Sequence, residues 1–134
     1  MPDFIHDPPL PSKTSQDGFV QTIRFMDGDR QIGLARWYAS ANIADGTVQI
    51  LELSIAPNHA RKGHGNQLLD DLIAQCQSYF RARKSTFRRL WMMVEQKRQV
   101  IGRSFLTGHG FHHVGSMKDL LVDQDGLIYM RGMD

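Results

Sequence analysis

A glycine-rich turn between an apolar strand pattern and an amphipathic helix pattern is the feature of this sequence that most restricts its fold. The stretch T-V-Q-I-L-E-L-S-I-A, residues 47–56, is apolar at nearly every other position and half apolar at the rest, which is typical of a strand covered on both faces. Pro57 ends this strand, and from Gly65 onward apolar residues recur at helical spacing to about Arg83. A strand that leads into a helix in this way predicts an α/β domain.

Further apolar patterns predict the elements on both sides of this unit. G-F-V-Q-T-I-R-F and R-Q-I-G-L-A-R-W-Y-A-S are strand patterns before it, and the Asp27-Gly28 pair between them strongly indicates a hairpin. After the helix, R-R-L-W-M-M-V-E predicts a strand, Q-V-I-G-R-S-F-L-T-G-H-G a short helix closed by glycine, and F-H-H-V-G-S-M-K-D-L-L-V with G-L-I-Y-M-R-G-M a last hairpin. The predicted order is β-β-β-α-β-α-β-β, in which a helix between two strands of one sheet implies a right-handed parallel crossover. We expect a mixed sheet with a central β-α-β unit and flanking hairpins.

Composition and charge exclude several classes of protein. Hydrophobic residues are 41% and charged residues 22% of a 134-residue chain, which is typical of one globular domain. A net charge of +2 is too small to indicate a nucleic-acid-binding protein. No apolar run reaches the roughly 18 residues of a membrane span, the N-terminus lacks a signal-peptide pattern, and the single cysteine, Cys76, excludes an internal disulfide. We expect a cytoplasmic protein with no membrane partner.

The first residues differ in composition from the rest of the chain. Residues 1–17 hold four of the five prolines and show little periodicity. We therefore expect an irregular N-terminal arm over residues 1–17, followed by the folded domain over residues 18–134.

The turn between strand and helix, residues 61–65, has the composition of an anion-binding site. The first N–H groups of a helix have no intrahelical acceptor and attract phosphate, each charge interaction contributing roughly 0.3–1 kcal/mol. Glycines at positions 63 and 65 let a phosphate approach the backbone, and Arg61 and Lys62 add cations. A dinucleotide fingerprint needs glycine where Leu68 stands, and a P-loop needs lysine where Asn66 stands, so neither motif fits. A flexible turn with incidental cations is the alternative interpretation.

Two stretches of this sequence resemble motifs of one enzyme family. I-A-P-N-H-A-R-K-G-H-G-N-Q-L-L resembles the acetyl-CoA-binding motif of the GCN5-related N-acetyltransferases, the GNAT family. Q-V-I-G-R-S-F-L-T-G-H-G-F resembles a second motif of that family, with Gln99, Phe105, Gly110 and Phe111 in register. The resemblance implies a single-domain acyl-CoA N-acyltransferase fold and an enzyme that moves an acetyl group from acetyl-CoA to a primary amine. It implies direct attack in a ternary complex, since Cys76 falls on the apolar face of the helix and does not suit an acyl-enzyme.

The resemblance also implies which residues bind the cosubstrate. The diphosphate of acetyl-CoA would lie on the backbone N–H groups of residues 61–65, and the pantetheine arm would pair with the end of strand 47–56 much as an added strand pairs with a sheet edge. The cofactor-binding residues that follow from this are Ser54, Ile55, Ala56, Arg61, Lys62, Gly63, His64, Gly65 and Asn66.

Two residues depart from the family pattern. Ala60 stands where the first motif usually has glutamine or arginine, which removes one phosphate contact unless Arg61 replaces it. Leu106 stands where a tyrosine commonly protonates the departing thiolate, so no general acid is assigned. Candidate substitutes for that acid are Ser104, Thr107 and Tyr129.

The N-terminal part departs from the pattern as well. The family usually places two helices between its first two strands, where they cover the acceptor site, and here the Asp27-Gly28 hairpin fills that gap. We therefore expect a fold without these two helices and with an open acceptor cleft. Such a cleft would favour a bulky or protein acceptor, or would be completed by a second subunit of a homodimer.

Glu52 is the candidate general base. An attacking amine must lose a proton, and a carboxylate near the end of strand 47–56 can accept it. Glu52 lies inside an otherwise apolar run, on the same side as Ser54 by alternation, and family members often carry an acidic residue at or next to this place. The alternatives are a glutamate on the sheet surface or one paired with an arginine. Glu95, at the end of the next strand, is the second candidate.

Two further patterns have simpler interpretations. His112 and His113 are adjacent on a predicted strand and face opposite ways, so we expect no metal site there. Residues 81–89 hold five cations in nine residues, but they link a helix end to a strand, and cations suit a helix C-terminus. A nucleic-acid-associated protein that uses residues 81–103 is one alternative function. A CoA-binding module of the same fold without turnover is the other, and the sequence leaves the amine acceptor open.

Overall fold

The structure is a computed structural model that describes residues 2–8, 18–57, 63–96 and 100–133. The chain divides into two units, Met1–Phe87 and Arg88–Asp134. The elements of the first unit are β1 (Pro2–His6), β2 (Phe19–Asp27), β3 (Arg30–Ala39), a short 3-10 helix (Ile43–Asp45), β4 (Thr47–Ile55) and α1 (His64–Ala82). The elements of the second unit are β5 (Arg89–Glu95), α2 (Val100–Gly108), β6 (His112–Leu121) and β7 (Gln124–Gly132). From residue 18 onward, the predicted strands and helices are present in the predicted order.

Alternation with period two gives the first unit a sheet with one face packed on α1. The strands pair antiparallel in the order β1-β2-β3-β4, and alternate residues of β2 and β3 are buried. The indole Nε1 of Trp37 donates to the side-chain oxygen of Gln75 on α1 at 2.8 Å, and its ring lies 5.4 Å from that of Tyr79. The buried residues of α1, all at positions where the spacing predicts an apolar face, are Leu68, Leu69, Leu72, Cys76 and Phe80.

The expectation of an irregular arm is wrong for the first residues of the chain. Pro2–His6 form β1, which pairs antiparallel with β2, and residues 9–17 of the expected arm lie outside the described residues. The ring of Phe4 stacks on that of Phe25 with centroids 4.5 Å apart, and His6 Nε2 lies 2.7 Å from Asp71 Oδ2 on α1. A proline is tolerated at the first residue of an edge strand, which is where Pro2 stands. These contacts over long sequence separations explain a strand that the local composition disfavours.

The presence of β1 changes which two strands the Asp27-Gly28 hairpin connects. Gly28 adopts a left-handed conformation with φ 61° between β2 and β3, as the dipeptide predicts. Because β1 precedes β2, this hairpin joins the second and third strands. The expectation that it fills the gap between the first two strands is therefore wrong. That gap is the connection over residues 7–18. The described residues contain no α-helix before α1.

The second unit is an antiparallel sheet with α2 connecting two of its strands. β7 pairs with both β5 and β6, and Leu90, Leu127 and Tyr129 are buried. The amide of Phe111 donates to the carbonyl of Leu106 at 2.9 Å, and Gly110 has φ 86°, so α2 ends in a left-handed glycine as the sequence predicts. Neither α1 nor α2, the α-helices of the described residues, combines the length and the apolarity that crossing a membrane requires.

We expect Phe4→Ala to lower the free energy of unfolding by about 1–3 kcal/mol, because it removes the aromatic stack on Phe25. The adjacent Ile5→Ala is the matched control, since Ile5 points to the other face of β1 and is 41% exposed. It should change stability by no more than about 0.5 kcal/mol. Urea unfolding followed by circular dichroism measures both variants, and equal effects would contradict the packing of β1.

Candidate functional site

A β-bulge at Leu51 divides β4 into two halves, and the alternation of side chains between the two faces of the sheet reverses from one half to the other. Trp37 of β3 lies opposite Ile50, but the next residue, Arg36, lies opposite Glu52, so Leu51 is the extra residue. Ile50 shares the face of Trp37, on the side of α1, and is 2% exposed. Glu52 lies on the other face although it is only two residues further on. The bulge therefore turns the candidate base away from the core.

The carboxylate of Glu52 is held weakly and is accessible. Its Oε1 lies 3.7 Å from Nη1 of Arg36, and its Oε2 accepts a hydrogen bond from Oγ of Ser54 at 3.5 Å. The side chains of Glu52 and Arg36 are each 41% exposed. Both distances are at the long end for such contacts. The glutamate paired with an arginine, one of the alternatives in the sequence, is thus present, and the role of Glu52 as a base stays a prediction.

The backbone of β4 offers different groups to its two edges. The amide of Ala56 donates to the carbonyl of Ile32 on β3 at 2.8 Å. In an antiparallel pair, residues that point their backbone groups at the partner strand alternate with residues that point them away. Ser54 and Ala56 therefore face β3, whereas Leu53 and Ile55 point to the opposite edge. Of the three residues predicted to pair with pantetheine, only Ile55 has its amide on that edge, and sequence analysis missed Leu53, which this alternation would have identified.

The first turn of α1 carries no acidic side chain. Gly63 is its N-cap with φ 80° and ψ 2°, no side chain caps this end, and no acidic residue lies in the first turn. A Cβ at Gly63 would meet no atom of the described residues within 4 Å. The first backbone N–H groups, among them those of Gly65 and Asn66, have no intrahelical acceptor. These features fit a diphosphate, which would supply the missing acceptors and the missing charge.

His64 fixes the start of α1 to the sheet. Its ring packs edge-on against Phe25 of β2 with centroids 5.2 Å apart, and its Nδ1 lies 3.3 Å from the side-chain oxygen of Gln67. Its predicted place beside phosphate stays a prediction. Arg61 and Lys62 lie outside the described residues. The structure thus places the other predicted binding residues in two groups, one at the end of β4 and the residue after it, the other at the N-cap and first turn of α1.

The second motif supplies no obvious general acid. Leu106, at the position of the family tyrosine, is only 2% exposed and belongs to the core. Thr107 Oγ1 donates to the carbonyl of Arg103 at 2.9 Å, and Ser104 is exposed on α2. Tyr129 is buried on β7, with its ring 5.4 Å from that of His113. The roles of these three candidates stay predictions.

The other two patterns of the sequence are a histidine pair on β6 and the basic segment 81–89. His112 lies opposite Met130 and His113 opposite Tyr129, so the two imidazoles face opposite sides of β6, as predicted. Within the ranges that the structure describes, no three His, Cys, Asp or Glu side chains are grouped as metal ligands would be. In the basic segment 81–89, Arg83 lies 3.7 Å from the centre of the Tyr79 ring and donates to the carbonyl of Tyr79 at 3.0 Å, which closes the end of α1.

Comparisons with known proteins identify relatives of this architecture. The model of the acetyltransferase (GNAT) family matches residues 4–111. An IAA acetyltransferase from Bacillus cereus is 14% identical with a TM-score of 0.73, and the match covers 98% of this chain and 100% of that protein. A GNAT-family protein from Desulfovibrio desulfuricans is 20% identical with a TM-score of 0.71, over 86% of this chain and 69% of that one. An acetyltransferase from Bacillus subtilis in complex with CoA is 15% identical with a TM-score of 0.67, over 87% and 78%.

These comparisons confirm the predicted fold class. At such identities the similarity to solved structures establishes the fold, the α/β acyl-CoA N-acyltransferase fold that the two motifs imply. A search of curated protein sequences finds no match.

We expect Asn66→Asp to stabilise the protein and to weaken CoA binding. A carboxylate in the first turn of α1 interacts favourably with the helix dipole, by about 0.3–1 kcal/mol, but repels a diphosphate, so that CoA affinity should fall about tenfold. Gln77→Glu makes the same amide-to-carboxylate change on an exposed position about three turns further along and should leave CoA binding unchanged. Isothermal titration with CoA and urea unfolding measure the two effects. Equal affinities of the two variants would contradict an anion site at this end of α1.

Proposed function

This chain belongs to the acetyltransferase (GNAT) family, and we propose that it transfers the acetyl group of acetyl-CoA to a primary amine by direct attack in a ternary complex. The observation that carries the proposal is the N-terminus of α1, which comes after β4 in the chain and has neither a side-chain cap nor an acidic residue in its first turn. It is the feature that a CoA diphosphate requires, and it lies at the position of the family motif. The CoA complex of the similar B. subtilis acetyltransferase supports the same cosubstrate.

Cosubstrate binding would use the backbone of two elements. The N–H groups at the start of α1, over residues 63–66, would hold the diphosphate, with Arg61 and Lys62 adding positive charge. The backbone groups of Leu53 and Ile55 would hold the pantetheine arm along the edge of β4 opposite β3. Because these are main-chain donors on regular elements, they would fix the thioester in place before the amine arrives.

Glu52 would accept the proton of the attacking amine, directly or through one water. The amine nitrogen forms a bond to the thioester carbonyl carbon, the carbon–sulfur bond breaks, and CoA leaves with the bonding electrons as a thiolate. A thiol has a pKa of about 8.5, so a thiolate is a tolerable leaving group near neutral pH even without a dedicated acid. This accounts for an active enzyme in which the position of the usual acid is the buried Leu106.

A CoA-binding module without turnover is the second candidate. The burial of Leu106 favours it, since this position supplies no proton to a leaving thiolate. Incubation with acetyl-CoA and a panel of amines, followed by a thiol reagent, separates the two functions. Release of free CoA that depends on an added amine supports the transferase, whereas acetyl-CoA that is bound but never consumed supports the module.

We expect Glu52→Gln to lower kcat by about 100-fold or more while the Kd of CoA changes by less than about twofold, because a general base contributes to the reaction and not to cosubstrate binding. Steady-state kinetics and isothermal titration provide the two measurements. Glu95→Gln is the matched control for the second candidate base. If kcat were unchanged in Glu52→Gln and fell in Glu95→Gln, the base would be Glu95 on β5 instead.

We expect Cys76→Ala to retain kcat, because Cys76 is enclosed in the core under α1 and burial raises the pKa of its thiol well above the usual value. The thiol therefore remains protonated near neutral pH, which suppresses its nucleophilicity. Intact-protein mass spectrometry after incubation with acetyl-CoA alone should show no acetylated protein. A mass increase of one acetyl group that disappears in Cys76→Ala would refute direct attack.

A further inference from the structure

Arg36 and Glu52 place a cation beside the candidate base on the sheet face opposite α1. The guanidinium of Arg36 lies across three strands, because its Nε donates to Thr22 Oγ1 on β2 at 3.3 Å while its Nη1 points to Glu52 on β4. Thr22 lies opposite Arg36, and Arg36 opposite Glu52, in the strand register. The position of the charge is therefore fixed by the fold and not by one flexible side chain alone.

The Arg36–Glu52 pair is loose where a neighbouring pair is tight. Arg24, on the same face of the sheet, holds Asp7 Oδ1 with Nη2 at 2.6 Å and Nε at 2.8 Å. The corresponding separation for Arg36 and Glu52 is 3.7 Å, which exceeds hydrogen-bond distance. An exposed pair of this kind contributes little to stability. Its two charges are consequently available to a ligand that offers better partners.

We propose that Arg36 selects an acceptor whose amine carries a carboxylate on the adjacent carbon, that is, a free α-amino acid. This inference rests on the proposed function, with Glu52 as the proton acceptor. Backbone bond lengths place the nitrogen of an α-amino acid about 3 Å from its carboxylate oxygens. Its carboxylate can take the guanidinium of Arg36 while its nitrogen lies at Glu52, so that the four charges alternate in a closed ring.

The same pair disfavours simple amines. An ammonium placed at Glu52 also lies close to the guanidinium of Arg36, and without a carboxylate of its own nothing offsets this repulsion. The expectation of a bulky or protein acceptor rested on the absence of the two helices that usually cover the acceptor site, and an open cleft by itself does not select the charge of the acceptor. The charges around Glu52 favour a small zwitterion instead.

The test compares acceptors that differ only in the carboxylate. Each α-amino acid is assayed beside its amide and its decarboxylated amine, with acetyl-CoA saturating. We expect kcat/KM to be about 10- to 100-fold higher for the amino acids. Arg36→Gln should remove this preference through the acceptor KM with little change in the KM of acetyl-CoA. Arg36→Lys should restore part of it, since lysine keeps the charge but lacks the planar fork.

Arg24→Gln is the matched control, because it removes an arginine from the same face whose charge Asp7 already neutralises. It should keep the preference for carboxylate-bearing acceptors. Equal kcat/KM for amino acids and their amides, or a preference that persists in Arg36→Gln, overturns the inference and leaves amine acetylation standing.

A binding measurement keeps the two proposals separate. If no amine of any kind is acetylated, the proposed function fails, and calorimetric titration of amino acids into the CoA-loaded protein still decides the present inference. Binding that needs the carboxylate and is lost in Arg36→Gln supports the role of Arg36. Absence of such binding, in protein whose circular dichroism matches the folded state, refutes it.

Discussion

The β-bulge at Leu51 decides which side of the sheet each residue of β4 faces. Side chains alternate along a strand, so a single inserted residue exchanges the faces of everything after it. Before the bulge Ile50 packs on the side of α1, and after it Leu53 and Ile55 return to that side while Glu52 and Ser54 take the other. If β4 alternated regularly through Leu51, Glu52 would share the face of Ile50 beneath α1, where an unpaired carboxylate costs several kcal/mol. The outward position of the candidate base therefore depends on the bulge at Leu51.

In α1, the contacts that stabilise the fold lie apart from the backbone N–H groups of the proposed anion-binding site. Its buried side chains and the Trp37–Gln75 hydrogen bond hold α1 on the sheet, and the edge-on contact of His64 with Phe25 fixes its first turn. None of these contacts uses the backbone N–H groups at the N-terminus, which lack a cap. A substitution at an exposed first-turn residue such as Asn66 would therefore change the proposed anion binding without disturbing the core, whereas changes on the buried face act on folding.

Sequence analysis predicts what depends on local pattern and misses what depends on pairing between distant segments. The apolar face of α1, the left-handed turns at Gly28 and Gly110 and the two family motifs are local, and all were predicted. β1 was missed because Phe4 is stabilised by a ring more than twenty positions away, in a segment whose prolines suggest irregularity. The bulge is visible in the sequence, because the apolar residues of β4 stand at even positions up to Ile50 and at odd positions after it. The sequence allowed an arginine partner for Glu52 but did not identify Arg36, because strand register alone brings the two together.

An intermediate degree of burial suits both roles that Glu52 would have. A fully buried ion pair would lose several kcal/mol when its partner was displaced, and the carboxylate could not exchange Arg36 for a substrate. A fully exposed carboxylate without a charged neighbour could accept a proton but would not discriminate between amines. At 41% exposure and 3.7 Å from Arg36, Glu52 keeps access to solvent for its proton and retains one fixed charge as a neighbour. In the proposed reaction, that neighbour would let the proton acceptor contribute to the choice of substrate, because the same few ångströms that separate the pair also separate the two charges of an α-amino acid.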